Sequence, residues 1–119
     1  MQVLVVDDDA LAGEMIVAVV EEMGHQPLVA ENAPEGMEKL NEHPEIGLII
    51  SDMNMPLVNG IEFFREIRQQ GNTLPFILLT GDDPEAARQQ ESGLNACIMK
   101  DFSLDESLPG IVRDVLGGQ

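Results

Sequence analysis

Aromatic side chains are nearly missing from this chain: four Phe, no Trp and no Tyr among 119 residues. A flavin cofactor is disfavoured on that ground, because no Trp or Tyr is available to stack on its ring. Cysteine occurs once, as Cys97, which excludes an internal disulfide and suits a reducing compartment. Basic residues are scarce, 6 Lys and Arg against 22 Asp and Glu, for a formal net charge of -16. Such a surface repels nucleic-acid phosphate and anionic membrane, and favours cations and partners with basic patches. No apolar run approaches the roughly 18 residues of a membrane span. The amino terminus is not that of a secretory signal: Met1 is followed by strand-like residues and then by acids. The expected location is the cytoplasm. Repeats, linkers and low-complexity stretches are also missing. What remains is a 13.0 kDa chain with 44% hydrophobic residues, expected to fold as one domain over 1–119 around an aliphatic, Met-rich core.

Hydrophobic patterning divides the chain into alternating strands and helices. Val3-Leu4-Val5-Val6 reads as a buried strand closed by Asp7-Asp8-Asp9. Leu11, Met15, Val19 and Met23, with Ile16 and Val20, form a helical stripe over about 10–23, capped by Asp8 or Asp9 and stopped by Gly24. Residues 26–30 give a weaker strand, placed at a sheet edge by Pro27. Residues 32–40 form a short helix with Asn32 as cap and Pro34 in the first turn, ended by Pro44. Residues 46–51 are the central strand, followed by Asp52. A third helix carries Ile61, Phe63, Phe64 and Ile67 and closes near Gly71. A strand over 75–79 delivers Thr80-Gly81-Asp82-Asp83. The next helix, 84–92, has Asp83 as cap and only Ala86, Ala87 and Gln90 on its inner face, so it is expected to be loosely held. A fifth strand, 96–99, delivers Lys100. The last helix carries Leu104, Leu108, Ile111, Val112, Val115 and Leu116; Ser103 with Glu106 resembles a capping box, Pro109 implies a kink or a late start, and Gly117-Gly118 ends the chain. Five strands alternating with five helices predict an α/β fold with a doubly wound parallel sheet.

The residues just past the strands make a chemical set. Asp7, Asp8 and Asp52 supply carboxylates, Thr80 a hydroxyl and Lys100 an ammonium, all on one sheet edge if strands one, three, four and five are neighbours. Clustered carboxylates raise one another's pKa, and a hard divalent cation relieves them. An ammonium and a hydroxyl suit a phosphoryl group, and a carboxylate can itself accept that group. The set therefore reads as Mg²⁺-assisted phosphorylation of an aspartate. Each member also has a plainer role: Asp7 to Asp9 as helix caps, Asp52 as a turn residue, Thr80 and Lys100 as solvated strand ends. Joint occurrence favours the chemical reading.

Val-Val-Asp-Asp at 5–8, Asp-x-x-Met-Pro-x-x-x-Gly at 52–60, Leu-Leu-Thr-Gly at 78–81 and Met99-Lys100 occur in that order. In this the whole chain resembles the receiver domain of two-component response regulators. The resemblance implies a flavodoxin-like (βα)5 fold with strand order 2-1-3-4-5 and Asp52 as phosphoacceptor. It implies Mg²⁺ held by Asp8, Asp52 and the Asn54 backbone carbonyl, with Asp7 acting through water. Thr80, Gly81 and Lys100 would bind the phosphoryl group and switch, and Asn54 and Asp82 would tune dephosphorylation. The donor would be a phosphohistidine on a sensor histidine kinase or histidine phosphotransfer protein. An output partner or a second copy would use the Pro84–Ser92 helix, the fifth strand and the last helix. Catalysis would be limited to the domain's own phosphorylation and dephosphorylation.

Two positions depart from the family pattern. Asp101 stands where Pro, commonly after a cis bond, usually follows the lysine; a cis bond before a non-proline costs about 2.5–4 kcal/mol, so the loop either keeps strain or is rearranged. Cys97 stands where a Tyr or Phe often moves with the threonine. A pseudo-receiver that only binds partners is the second reading. A Mg²⁺-dependent phosphatase with an aspartyl nucleophile is a third, but Asn54 occupies the place of its second carboxylate.

Overall fold

The computed structural model describes residues 1–101 and 103–117; Gly118, the second glycine of the terminal pair, lies outside the described residues. The elements are β1 (Gln2–Val6), α1 (Ala10–Glu22), β2 (Gln26–Ala30), α2 (Ala33–Glu42), β3 (Ile46–Asp52), α3 (Gly60–Gln69), β4 (Phe76–Thr80), α4 (Pro84–Gln90), β5 (Ala96–Met99) and α5 (Leu104–Gly117). The five strands form one sheet in the order β2-β1-β3-β4-β5, every pairing parallel. This is the flavodoxin-like order, and β2 lies at the edge, as Pro27 requires.

Alternate strand residues point to opposite faces, and both faces are apolar. Leu4, Val6, Ile49, Phe76 and Leu78 join Phe63, Phe64 and Ile67 of α3 in one buried cluster. Val3, Val5, Leu48, Ile50, Ile77 and Leu79 join α1 and α5 in the other. Each fully buried Leu, Ile or Phe contributes on the order of 1.5–3 kcal/mol, so the two layers hold the strands in register.

Local signals explain most helix ends. Asp9 caps α1 by accepting from the Leu11 backbone N–H at 3.0 Å, and Gly24 leaves the helix at φ 84°. Asn32 caps α2. Asn59 and Glu62 form a reciprocal capping box at α3. At α5 the expected box is not formed: the Ser103 hydroxyl instead donates to Asp101 Oδ1 at 2.6 Å. The helix starts at Leu104 and runs through Pro109. Pro109 has no N–H to give the Asp105 carbonyl one turn back, and Asp105 is exposed. Helix α4 stops at Gln90, two residues short of expectation. Glu91 turns extended (φ -146°, ψ 96°), and its carboxylate accepts from Arg65 Nε at 2.8 Å and the Gly93 backbone N–H at 3.2 Å.

Candidate functional site

Parallel register brings the strand ends level. Val6 pairs with Ser51, Asp52 with Leu79 and Thr80 with Met99. The next residues along therefore meet at the carboxyl edge, where open α/β sheets bind ligands. Asp7, Asp52 and Thr80 are buried there, Lys100 is half-buried, and Asp8 is exposed.

Carboxylate oxygens of Asp7, Asp8 and Asp52 lie within 4.8 Å of one another. Lys100 Nζ reaches into this group, 2.8 Å from Asp7 Oδ2 and 3.1 Å from Asp52 Oδ2. The other Asp7 oxygen, Oδ1, accepts from the Asp9 backbone N–H at 2.8 Å. Asp7 Oδ2 is buried and makes no hydrogen bond of good geometry, so the Lys100 contact is an ion pair. Burial, and then the Asp7 charge, push the Asp52 carboxyl above its ordinary pKa; Lys100 and the Asn54 backbone N–H oppose this without cancelling it. Burial works to lower the Lys100 pKa, but the close contact with Asp7 and the two carboxylate charges outweigh it, so the ammonium is held more firmly than usual. A trio of hard oxygen donors, two buried and one exposed, with one under-satisfied buried oxygen fits a divalent cation of the Mg²⁺ kind.

The floor under Asp52 depends on Gly60. Its N–H donates to the Met53 carbonyl at 2.8 Å. A Cβ at Gly60 would lie 2.6 Å from the Asp52 carbonyl oxygen and 2.5 Å from Leu78 Cδ1. The glycine in Asp-x-x-Met-Pro-x-x-x-Gly is thus required by close approach, which its place at a helix start does not reveal. Between them, Leu57 adopts φ 75° with a Val58 N–H to Pro56 carbonyl hydrogen bond of 2.9 Å, a γ-turn around a residue 82% exposed.

Thr80 is placed by the Lys100 backbone N–H, which donates to its carbonyl at 2.7 Å, and its hydroxyl oxygen accepts from the Asp82 backbone N–H at 3.1 Å. Gly81, Asp82 and Asn54 are exposed around the same edge. The Lys100–Asp101 bond is trans, and Asp101 closes the turn through Ser103, whose N–H and hydroxyl both bind Asp101 Oδ1. Those two hydrogen bonds hold the Asp101 carboxyl below its ordinary value. The turn is rearranged rather than strained. Cys97 is buried in the cluster that also holds Ala87 and Leu94, and burial pushes its thiol pKa up.

Sequence reasoning missed the support from α3. Arg65 donates to the Gln90 carbonyl at 2.7 Å as well as to Glu91. Arg68 lies 4.5 Å from the Phe64 ring centroid and reaches Asn95 Oδ1 at 3.3 Å. Gln90, Glu91 and Asn95 sit 25 to 27 residues from the arginines they bind, beyond any local pattern.

A family model for the response regulator receiver domain matches residues 3–111. The phosphate regulon transcriptional regulatory protein PhoB of Escherichia coli (strain K12) is 35% identical over 109 residues, covering 88% of this chain and 47% of PhoB. A probable transcriptional regulatory protein of Picosynechococcus is 36% identical over 114 residues, covering 88% of this chain and 45% of its own length. The chain spans about half the length of these curated relatives. Among solved structures, chemotaxis response regulator CheY4 of Vibrio cholerae superposes with a TM-score of 0.85 at 27% identity, covering 96% of this chain and 97% of CheY4. Response regulator TrrA of Thermotoga maritima, solved in complex with Mg²⁺-BeF, gives the same TM-score, identity and coverage. Fold, strand-end chemistry and sequence agree: the chain belongs to the family of response regulator receiver domains of two-component systems.

Proposed function

We propose that Asp52 is the residue phosphorylated in this receiver domain, in a Mg²⁺-dependent reaction with a phosphohistidine of a sensor histidine kinase or histidine phosphotransfer protein. The observation that carries this reading is the Lys100 ammonium set between Asp7 and Asp52 inside a cluster of three carboxylates. An Asp52 oxygen attacks phosphorus, the phosphorus–imidazole bond breaks, and its electron pair stays on the departing ring nitrogen. Lys100 draws the new phosphoryl oxygens and compensates the charge that Asp52 carried. Asp8, Asp52 and the Asn54 carbonyl would hold Mg²⁺, with Asp7 acting on it through water, and the ion would supply positive charge against the carboxylates and the phosphoryl oxygens.

Thr80 donates its hydroxyl hydrogen to a phosphoryl oxygen, and Gly81 lets the backbone follow. The change then passes to the stretch from Gly81 to Ser92. No aromatic ring at position 97 takes part. An output partner or a second copy of the chain reads the switch on α4, β5 and α5. Asn54 and Asp82 flank the path of the hydrolytic water and tune the lifetime of the phosphorylated state. No substrate other than its own aspartate is turned over. Residues 1–119 act as one receiver unit working in the cytoplasm; among the described residues no helix is long and apolar enough to cross a membrane.

Acetyl phosphate with Mg²⁺, followed by intact mass, tests the central step. The wild-type chain gains one phosphoryl mass and Asp52→Asn gains none. Phosphorylation of the Asn variant to the wild-type extent would place the acceptor elsewhere.

A further inference from the structure

We propose that the cleft between α1 and the outer face of β2 docks a basic amphipathic helix of a partner protein. The proposal does not rest on phosphorylation of Asp52, and its outcome is independent of that assay.

The cleft exists because the sheet is wider than its cover. On the α1–α5 side the buried cluster takes residues from β1, β3, β4 and β5 but none from β2. On the other side, Ala30 and Leu28 of β2 are packed. Val29 therefore faces α1 across open space and is 44% exposed on a surface strand. The resulting cleft holds about 430 Å³. Its floor is apolar: Gly13, Val17, Ala18 and Val29. Gly13 is buried, yet a Cβ there would meet no packing neighbour within 4 Å, so the recess can take a side chain from outside.

Charge selects the occupant. Six of the eleven lining residues are acidic, with Glu14, Glu21 and Glu31 along the walls, and none is basic. An apolar stripe flanked by Lys or Arg satisfies floor and walls together. A partner strand is a poorer fit, because Pro27 removes a donor from the free edge of β2. The 13 residues of α1 make a wall of roughly 20 Å, the length of three to four helical turns. A helix laid parallel to it fills the missing place in the cover over β2.

A peptide probe tests this: a helix of about 14 residues with a Leu/Ala stripe bordered by Lys, titrated into the ¹⁵N-labelled chain. Amide shifts are expected at Gly13, Val17, Ala18, Val29 and Glu31, with binding weakening severalfold as salt rises from about 0.05 to 0.25 M. Gly13→Leu fills the recess and Val29→Lys breaks the floor and repels the probe; each should weaken binding about tenfold or more. Should Gly13→Leu melt below wild type, the exposed Val29→Lys decides. Equal binding by a peptide of the same charge without the stripe would show only cation attraction to an acidic surface and overturn the proposal. So would shifts confined to other faces, or wild-type affinity in Val29→Lys.

Discussion

The loops that follow β3 and β4 are neighbours on one sheet edge, and they are built in opposite ways. After β3, the chain is jammed: Asp52 is buried against its electrostatic preference, Leu57 is held at positive φ, and Gly60 presses on the Asp52 backbone. After β4, the chain is loose. Gly81 has no packing neighbour within 4 Å of a Cβ position, and the seven-residue helix α4 buries only Ala87. The far end of α4 is tied to α3 by Arg65. The difference teaches where a charge change at the site can go. A loop that cannot move stores the perturbation, and a loop with few contacts yields to it.

Two glycines break or sharpen this contrast most strongly. Gly60→Ala puts a methyl 2.6 Å from a carbonyl oxygen and 3.0 Å from Met53 Cα, backbone atoms that cannot swing aside. It should cost about 3 kcal/mol, a fall in Tm of roughly 10 °C or more. Gly81→Ala should leave Tm unchanged or slightly raised, since the new methyl enters open space and the unfolded chain loses freedom. Thermal melts of the pair decide it; equal losses would show that both loops are packed alike.

The second test is electrostatic. Burial and Asp7 raise the Asp52 pKa in the folded chain, so the folded state holds that proton more tightly than the unfolded state. The penalty for ionising Asp52 is absent below the unfolded value, grows as pH rises through the folded value, and is complete above it. Asp52→Asn should therefore raise Tm at pH 7 in metal-free buffer by about 4 °C, the shift that roughly 1 kcal/mol produces in a small domain. The gain should shrink toward pH 3, and millimolar Mg²⁺ should stabilise wild type more than the variant. A variant less stable than wild type at pH 7 would mean that the Lys100 contact outweighs the burial of Asp52.

Much of this architecture is legible in the sequence, because the signals are local. Continuous apolar runs mark the buried strands, period-four stripes mark most helices, and Pro27 marks the edge. Counting to the residue after each strand places Asp7, Asp52, Thr80 and Lys100 on one edge, where they lie. Contacts between distant segments are not legible. Arg65 looks like a surface residue of α3, and nothing near it announces Glu91, 26 residues on. The shortened α4 follows from that same contact. Ser103 offers a capping pattern, but its hydroxyl is turned to donate to Asp101 and the Glu106 N–H goes to the Ser103 backbone carbonyl, an arrangement that depends on the turn out of β5. Leu57 gives no warning because its side chain explains nothing; the conformation belongs to the turn.

The tether on the loose side is the third test. Arg65→Ala removes an exposed ion pair and a charge-assisted hydrogen bond to the Gln90 carbonyl. Exposed pairs of this kind contribute about 0.2–1 kcal/mol, so global Tm should hardly move. Hydrogen exchange should respond locally, with amides of 85–91 exchanging up to about fivefold faster and those around Asp52 unchanged. Uniform acceleration across the chain would make Arg65 a global support instead of an anchor for α4.

The smallest effect sharpens the other side. Leu57 gains nothing from its side chain, which is 82% exposed, yet it sits at φ 75° with the Pro56 carbonyl bonded to the Val58 N–H. A non-glycine residue there costs about 1 kcal/mol or more, and the surrounding β3–α3 connection must supply it. Asn tolerates this conformation better than Leu, so Leu57→Asn should raise stability by about 0.5 kcal/mol. Leu57→Pro, with φ fixed near -65°, should lose far more. If the strain is confined to the γ-turn, Mg²⁺ affinity, followed by the same melts, stays unchanged in the Asn variant. A shift in Mg²⁺ affinity together with Tm would show that the turn is part of what holds Asp52 and Asn54 in place, and the jammed loop would extend from Asp52 to Gly60 as one unit.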